Sequence, residues 1–473
     1  MSVAIENRLG RLKALERPRP LVSPSRAQTE DRHSVRQAGD RLGMLERILG
    51  ACPKMNPHGE HLSVHCWFGE PAQHTPNLNA VRMLIPDAGD EVADPGRWLF
   101  LDTETTGLAG GSGTCAFLVG VAWWEDGGLE VEQLFMRDYS EECSLLFALR
   151  QRIVEHPAIV TFNGKTFDWP LLETRYRMSR KIAPPAPLIH LDFLHPARNL
   201  WRLRLGSVRL SELERLVLGR DRSADILSDL IPEIYFDFLR GESPERLVQV
   251  FQHNQMDLRG LAALSVRVLS LLADPETIGQ DGLELFGVSR ICEKRGYSVY
   301  ARRLYQKSIA SVLPAATERV AKRSLARLAK HDGDFVLACE LWKSALGNSR
   351  QGYEAYEQLA IHHEHRVRDL DQARDVVRRA LDELRRAKCL GAIAASAYRE
   401  LKTRFEHRLA RLERKSKQPF LDVLGENLAR DRELNGGRQK TRINHCCGNP
   451  RATESEQYGR LAQPPQPTTE SSR

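Results

Sequence analysis

The sequence predicts an α/β domain with a mixed central sheet flanked by helices, followed by an all-α domain of repeated helix pairs. Three observations support this prediction. Apolar runs typical of buried strands recur between residues 98 and 162. Helical periodicity dominates beyond Pro275. With 473 residues the chain is long enough for two or three domains.

Composition places the chain among ordinary globular proteins, with 28% charged and 41% apolar residues. The nine cysteines are odd in number and never form a C-x-x-C pair, which predicts a reducing compartment and no structural zinc site. No apolar run approaches the length of a membrane span, and the N-terminus lacks the apolar stretch of a signal peptide. We therefore expect a cytoplasmic protein without a membrane partner.

Charge is spread unevenly along the chain, at −4 over residues 96–274 and +7 over 275–413. This distribution suits a protein in which one part collects cations and another attracts a polyanion, and a solvated helical surface would also explain it. The predicted segments are a largely disordered basic arm (1–57), a short β-rich lead-in (58–95), the α/β domain (96–274), the helical domain (275–413) and a disordered tail (414–473).

The first strand of the α/β domain carries two acids. Trp98 to Leu101 are four apolar residues typical of a buried central strand, and they deliver Asp102 and Glu104 at its end. Side chains at i and i+2 of an extended chain lie on one face, and burying two like charges is costly unless a cation lies between them. The pair predicts a site for Mg²⁺ or Mn²⁺, which favour oxygen ligands; the alternative is an exposed pair of acids at a strand end.

The next elements extend this strand into a sheet. Two β-rich runs, AFLVGVAWW and LEVEQLF, flank the turn Asp126-Gly127-Gly128 and predict an antiparallel hairpin. The preceding glycine run lacks a following Lys-Ser/Thr and opens no helix, so it is not a phosphate-binding loop. A helix over 141–156 and a buried strand over 158–162 follow. Strand, hairpin, helix, strand is the order of a ribonuclease-H-like α/β sheet.

A third acid follows the second buried strand. Asp168 precedes Trp169-Pro170, and an acid before proline at a helix start is a natural N-cap. The carboxyl ends of neighbouring parallel strands lie side by side, however, and ligands bind outside those ends. Asp168 is therefore either a helix cap or a partner of Asp102 and Glu104.

A fourth acid belongs to a long amphipathic helix. His253 and Asp257 are four residues apart and so lie on one helix face. They are either an exposed helical pair or a functional pair, in which Asp257 supplies a fourth carboxylate and His253 a base.

The three motifs D-x-E-T-T-G-L, N-G-x-x-F-D and H-x-x-x-D, in this order, resemble those of the DEDD exonucleases, and the connecting sequence resembles the YprB-like branch of ribonuclease-H-fold exonucleases. The resemblance spans about residues 96–270 and continues into a helical repeat region that this family also carries. In the classical proofreading branch four residues separate the His and Asp of the third motif, and in the tyrosine branch three separate Tyr and Asp; this chain has His at the tyrosine-branch spacing. The segments that carry the resemblance are FLDTETTGLAGGSGTCAFLVGVAWW, TFNGKTFDWPLL, LDFLHPARNLWR, IPEIYFDFLRG and QHNQMDLRGL.

The resemblance implies hydrolysis of phosphodiester bonds with two metal ions, which together neutralise the attacking and leaving oxygens. It makes Asp102, Glu104, Asp168 and Asp257 the ligands of two Mg²⁺ or Mn²⁺ ions and His253 the base that accepts a proton from the attacking water. The residues expected to contact the terminal nucleotide are Thr105, Gly107, Leu108, Asn163 and Phe167.

The same resemblance implies that the substrate is DNA, degraded from its 3′ end in repair, and that a helicase is a protein partner. Two alternatives stay open. An exoribonuclease would use the same metal chemistry, since no residue reports on a contact to the 2′-hydroxyl. A non-catalytic scaffold would act through its helical repeats, although it would not need four acids and a histidine.

A basic run predicts a phosphate track, with plain surface charge as the alternative. Only one acid, Asp192, interrupts it, and Trp201 within it would either stack on a base or fill the core. The basic residues are Arg175, Arg177, Arg180, Lys181, Arg198, Arg202, Arg204 and Arg209.

Beyond Pro275 small residues recur at a spacing typical of helix pairs. Ala301, Ala338 and Ala373 are separated by 37 and 35 residues, and Gly296 and Gly333 precede the first two by five residues. This spacing predicts tetratricopeptide-like repeats, whose usual period is about 34, with a plain helical bundle as the alternative.

Overall fold

The computed structural model describes residues 43–69, 77–107, 113–186, 189–222, 225–279, 281–347 and 349–435. It divides into two compact units, one ending at Leu359 and the other beginning at Ala360. Residues 1–42 of the predicted arm, 436–473 of the predicted tail, and the predicted substrate contact Leu108 lie outside the described residues.

The first unit is built on a mixed seven-stranded sheet with the spatial order β1-β2-β5-β4-β3-β6-β7. This confirms the predicted ribonuclease-H-like α/β class. The strands are β1 (Cys52–Asn56), β2 (Gly59–Phe68), β3 (Trp98–Thr105), β4 (Ala116–Glu125), β5 (Gly128–Phe135), β6 (Ala158–Thr161) and β7 (Ile189–Asp192).

Strand direction changes at β3. From β1 to β3 all neighbours are antiparallel, whereas β3, β6 and β7 run parallel. The predicted hairpin is β4–β5, and its turn has positive φ at Asp126 (49°) and Gly127 (76°), as a two-residue hairpin turn requires. The carboxyl ends of β3 and β6 consequently lie next to each other.

Helices cover both faces of the sheet, and successive residues of β3 alternate between two apolar cores. Trp98 and Phe100 belong to the first core, and Leu99 and Leu101 to the second. The helices are α1 (43–49), α2 (Leu78–Leu84), α3 (Glu142–Val154), α4 (Asp168–Ser179), α5 (Leu194–Leu205), α6 (Leu210–Leu216), α7 (Ile231–Arg240) and α8 (Leu247–Ala273).

The rest of the described chain is helical, as predicted. The repeated alanines Ala301, Ala338 and Ala373 are all fully buried. Gly296 and Gly333 have φ of 82° and 83°, and Arg368 takes the same left-handed conformation (φ 60°) before the third alanine. The helices are α9 (Pro275–Ile278), α10 (Gly282–Lys294), α11 (Ser298–Ala310), α12 (Ala315–His331), α13 (Phe335–Ser344), α14 (Arg350–His362), α15 (Leu370–Cys389) and α16 (Ala395–Asn435).

Helices α10 to α12 share the first core with the sheet. Phe286, Tyr305 and Leu325 belong to the same apolar cluster as Trp98 of β3. A buried polar group reinforces this packing, because the fully buried Glu284 accepts a hydrogen bond from Trp201 Nε1 at 2.7 Å. Trp201 is therefore a core residue rather than a base-stacking one.

Some predicted segment limits differ from the observed elements. Strand β1 falls within the stretch predicted as a disordered arm, yet it pairs with β2 in the main sheet. The stretch predicted as a disordered tail from residue 414 is helical as far as Asn435. None of the helices in the described ranges is long and apolar enough to cross a membrane.

Candidate active site

Asp102 and Glu104 project from the central strand β3. The strand continues to Thr105. Both acids therefore lie within the strand, whereas they had been predicted to lie at its end. Asp102 pairs in register with Gly120 of β4, and Glu104 with Leu118. Since side chains alternate along a strand, the two carboxylates lie on one face.

Helix α8 crosses this face and holds Asp102. Asn254 Nδ2 donates a hydrogen bond to Asp102 Oδ2 at 2.9 Å, and Asn254 Oδ1 accepts one from Gln133 Nε2 at 2.8 Å. Burial raises the pKa of Asp102 well above its usual range, and the negative charges of Asp257, Glu104 and Asp168 raise it further. Asp102 is thus near enough to the other three acids for their charges to act on it.

Asp168 is not the N-cap of α4. Phe167 occupies the cap position and Asp168 is the first helical residue. Its Oδ1 accepts a hydrogen bond from Thr103 Oγ1 at 2.5 Å. Burial raises its pKa to about 6, against the lowering effect of that bond. The side chain thus reaches towards β3, and of the two alternatives for Asp168 the helix cap is wrong.

Asp257 is paired with a cation that the sequence did not reveal. Arg222 Nη1 lies 2.6 Å from Asp257 Oδ1 and 2.6 Å from Glu214 Oε2. Arg222 Nη2 lies 2.9 Å from Asp225 Oδ2. All four side chains are less than a fifth exposed, so this is a buried network of three acids around one guanidinium.

His253 is buried and is held on both sides by acids. Its Nδ1 donates to Asp225 Oδ1 at 2.7 Å, while Nε2 lies 3.5 Å from Asp257 Oδ2 and 4.0 Å from Glu104 Oε1. Burial alone would lower its pKa, but the charges of Asp257, Glu104 and Asp225 outweigh it and raise the pKa. The residue is 7% exposed, so the alternative of an exposed helical pair is wrong.

The carboxylate set fits a divalent cation in its chemistry. Within the described ranges, no three His, Cys, Asp or Glu side chains converge closely enough to hold an ion as they stand. Protein donors hold three of the acids instead: Asn254 holds Asp102, Thr103 holds Asp168 and Arg222 holds Asp257. Burial and neighbouring acids raise the pKa of Asp102 and of Glu104. Cations would relieve this crowding of negative charge, and oxygen ligands are those that Mg²⁺ and Mn²⁺ prefer.

Two segments flank the acids where a substrate would enter. Thr105 Oγ1 donates to Gly107 O at 3.0 Å and so closes the turn after β3. Asn163 has φ of 70°, and its Oδ1 accepts from Thr166 Oγ1 at 2.9 Å. Phe167 is 61% exposed, which leaves its ring free to stack on a base.

Asp192 shapes the second of these segments, and sequence reasoning gave it no role. It ends β7, and its carboxylate accepts hydrogen bonds from the backbone N–H groups of Asn163, Lys165 and Leu194 at 2.8, 3.2 and 3.0 Å. The position of an acid at the carboxyl end of a parallel strand was the available signal.

The predicted phosphate track is interrupted by ion pairs. Arg175 donates to both carboxylate oxygens of Glu142, at 2.5 and 2.6 Å. Arg204 Nη1 lies 3.0 Å from Asp281 Oδ2. These cations join elements of the fold, so the run does not act as one continuous phosphate surface.

Comparison with known proteins places this site in a recognised fold. A family model of the RNase H superfamily matches residues 99–269. The chain is 31% identical over 324 residues to YprB of Bacillus subtilis (strain 168), a protein described as uncharacterized, and the match covers 67% of this chain and 74% of YprB.

A solved structure is also similar to part of the chain. It is the family B DNA polymerase from the hyperthermophilic archaeon Pyrobaculum calidifontis, with a TM-score of 0.32 and 16% sequence identity. The match covers 45% of this chain and 29% of the polymerase.

Proposed function

Because the chain belongs to the YprB-like family of proteins with a ribonuclease H fold, we propose that it is a metal-dependent 3′–5′ exonuclease that hydrolyses the phosphodiester bonds of DNA. The superfamily supports a nuclease and a nucleic acid substrate. We also propose that it uses two metal ions and acts in DNA repair.

One observation carries the proposal. Three separate stretches of chain, β3, the start of α4 and the middle of α8, carry the four acids. Glu104 is buried, and Asp102, Asp168 and Asp257 are partly buried. The pKa of Asp102 rises through burial and through the charges of Asp257, Glu104 and Asp168. Concentrating like charges in a protein interior costs folding free energy, and a cation-dependent function explains why the fold retains them.

The residues divide into three roles. Asp102, Glu104, Asp168 and Asp257 would hold two Mg²⁺ or Mn²⁺ ions. When bound, the ions supply charge neutralisation at the attacking and leaving oxygens of the phosphodiester.

His253 is the proposed general base. Because Nδ1 donates to Asp225, the lone pair of a neutral ring lies on Nε2, which faces Glu104 and Asp257. From there Nε2 accepts the proton of the attacking water. Asp225 fixes both the tautomer and the orientation of the ring.

Substrate contacts complete the proposed site. Thr105, Gly107 and Leu108 would position the terminal nucleotide through backbone and apolar contacts. On the opposite side Phe167 would stack on the base and Asn163 would contact the sugar. We further propose that the tetratricopeptide-like helix pairs bind a protein partner such as a helicase, and that the protein acts in the cytoplasm.

The decisive experiment uses the purified full chain with Mg²⁺ or Mn²⁺ and end-labelled DNA and RNA of the same sequence, single- and double-stranded. Asp102→Asn should abolish cleavage and keep the fold, because it removes one of several crowded charges. Asp126→Asn is the matched control, since Asp126 lies in an exposed hairpin turn.

The outcomes separate the candidate functions. Stepwise shortening of DNA from its 3′ end, lost with EDTA and in Asp102→Asn, supports the proposal. Shortening of RNA alone would make the protein an exoribonuclease. If neither nucleic acid is cleaved with either metal, the helical scaffold becomes the better explanation.

A further inference from the structure

A cleft of about 770 Å³ opens beside the candidate active site. One wall is formed by the end of β7, the start of α5 and the residues after Asn163, and the other by α10 and α12. Its charged residues are Lys165, Asp192, Arg290, Glu293, Lys294, Arg295 and Arg327.

The two acids that line the cleft already accept hydrogen bonds from other groups of the protein. Asp192 accepts three backbone hydrogen bonds from the segment that it shapes. Glu293 accepts hydrogen bonds from Tyr305 Oη, at 2.8 Å, and from Arg327. Their negative charge is therefore directed at the protein rather than into the opening.

Three cations of the cleft have no acidic partner. Lys165, Arg290 and Lys294 are exposed, and none forms an ion pair with a carboxylate in the part of the chain that the structure describes. Arg295, in contrast, donates to Met83 O and Leu84 O and so joins α10 to α2. The exposed surface of the cleft is consequently positive.

A second cavity of about 370 Å³ extends along α12. Arg319 has no acidic partner in the described ranges, whereas Lys322, Arg323 and Arg327 pair with Glu318, Glu354 and Glu293. The two cavities share Val320, Ser324 and Arg327. From Arg319 to Lys330 the helix extends about 17 Å, the length of about five phosphates along a stacked strand. The cations of α12 that line the second cavity are Arg319, Lys322, Arg323, Arg327 and Lys330.

The first cavity begins close to the acids. Lys165 lies three residues before Asp168, in the segment whose backbone Asp192 holds. Cationic groups thus follow one another from the carboxylate site, across the cleft, to the far end of α12. We call this surface, from Lys165 through Arg290, Lys294 and Arg319 to Lys330, the basic path.

We propose that the basic path binds the sugar-phosphate backbone of the nucleic acid strand whose end lies in the carboxylate site. This inference rests on the proposed function and extends it, since it assigns the internal part of the strand to helices α10 and α12. An acidic polypeptide would meet the same charges, but continuity with the carboxylate site favours a strand with one end among the acids.

The test measures binding by a non-cleaving protein, so that it does not depend on turnover. In the Asp102→Asn background we compare Arg290→Gln/Lys294→Gln/Arg319→Gln with the unchanged cleft, using fluorescent 4- and 16-nucleotide single strands at several salt concentrations. The matched control is Arg177→Gln/Arg240→Gln/Arg246→Gln, which removes three cations from elements that pack on the second core.

Counterion release sets the expected size of the effect. Each lost phosphate contact lowers the slope of log K against log [salt] by about 0.7 for a single strand, so three should lower it by about 2. At 0.1 M salt this is a loss of about 100-fold in affinity for the 16-mer. The 4-mer, which is too short to follow the path, should lose much less.

Three results would overturn the inference. The first is an unchanged slope of log K against log [salt] in the cleft variant. The second is an equal loss of affinity for the 16-mer in the control variant. The third is competition by a polyglutamate peptide as strong as that by an unlabelled strand of equal charge. Failure of the proposed nuclease function gives a different result. The p-nitrophenyl ester of thymidine 5′-phosphate is too small to reach the basic path. If the nuclease proposal is wrong, the wild-type protein will not hydrolyse this ester, although its basic path is intact.

Discussion

Substituting Gly120 by alanine should disturb the candidate site from within the sheet. Gly120 lies opposite Asp102 in the β3–β4 register, at the point where α8 crosses. A Cβ at this position would lie 2.1 Å from Asn254 Oδ1 and 2.7 Å from Leu258 Cδ1. Only glycine leaves room for the carboxamide that holds Asp102.

The structure gives the size of the effect. To reach ordinary contact, Asn254 Oδ1 must move by about 1.3 Å, and this shift of the carboxamide is enough to break the 2.9 Å hydrogen bond that Asn254 Nδ2 donates to Asp102 Oδ2. Overpacking costs about 1–3 kcal/mol, and a buried group left without its hydrogen bond costs about 1–3 kcal/mol more. Displacing a ligand by about 1 Å can reduce turnover about 100-fold.

Urea unfolding and cleavage of an end-labelled strand, both on the same preparation, measure the two effects. Gly287→Ala is the first control, because its Cβ would meet Asn199 O at 2.6 Å and so overpacks α10 against α5, away from the carboxylates. It should lose stability and keep turnover per folded molecule. Gly113→Ala, with no atom within 4 Å of its Cβ, should lose neither. Wild-type stability and turnover in Gly120→Ala would refute the reasoning.

Three other predictions concern the base, the metal ions and acid stability. Asp225→Ala should lower kcat by about 10²–10⁴, as expected for loss of a general base, with KM little changed, because His253 loses the acceptor that fixes its ring; steady-state kinetics with a wild-type kcat would contradict this. Mn²⁺ at 100 times its Kd should stabilise the protein by about 2.7 kcal/mol, seen as a rise in Tm, and Asp257→Asn should lose most of that rise; an undiminished rise would remove Asp257 from the ligand set. Glu132 has a pKa lowered to about 2, since bonds to His65 and Arg152 outweigh burial. It should therefore contribute about 3 kcal/mol of stability above pH 4.5 that is lost as the pH falls towards 2. Urea titrations at several pH values should show this loss in the wild type and not in Glu132→Gln; the same acid profile in both would contradict it.

Local sequence patterns were sufficient for the four central strands of the sheet and for the residue types of the site, but not for β1 or β7. Apolar runs predicted β3, β4, β5 and β6, because buried strands must exclude polar side chains on both faces. The same runs indicated Asp102 as an acid at the centre of the fold. Hydrogen-bond partners that are distant in the sequence could not be predicted from such local patterns. The local sequence left a helix cap as an alternative for Asp168, because its actual donor, Thr103, is 65 residues away.

The residues that sequence reasoning missed lack any periodic signal. Arg222 and Asp225 lie between helices, where neither a 3.6- nor a 2-residue period marks the buried side. The third helix pair was difficult to predict from the sequence for another reason. The prediction looked for a glycine, but Arg368 adopts the left-handed turn, which costs a non-glycine residue only about 1–2 kcal/mol.

The apolar core that joins the sheet to α10, α11 and α12 makes these elements one cooperative folding unit. Trp98, Phe286 and Leu325 belong to one buried apolar cluster, so the strands and these helices should melt in a single transition. Their most protected amides should exchange with solvent only through global opening, at one common free energy. A nuclease fragment ending at Ala273 would expose Trp201 and leave its indole N–H without Glu284. The basic helices should thus fold together with the sheet that carries the acids, and a ligand bound on one should stabilise both.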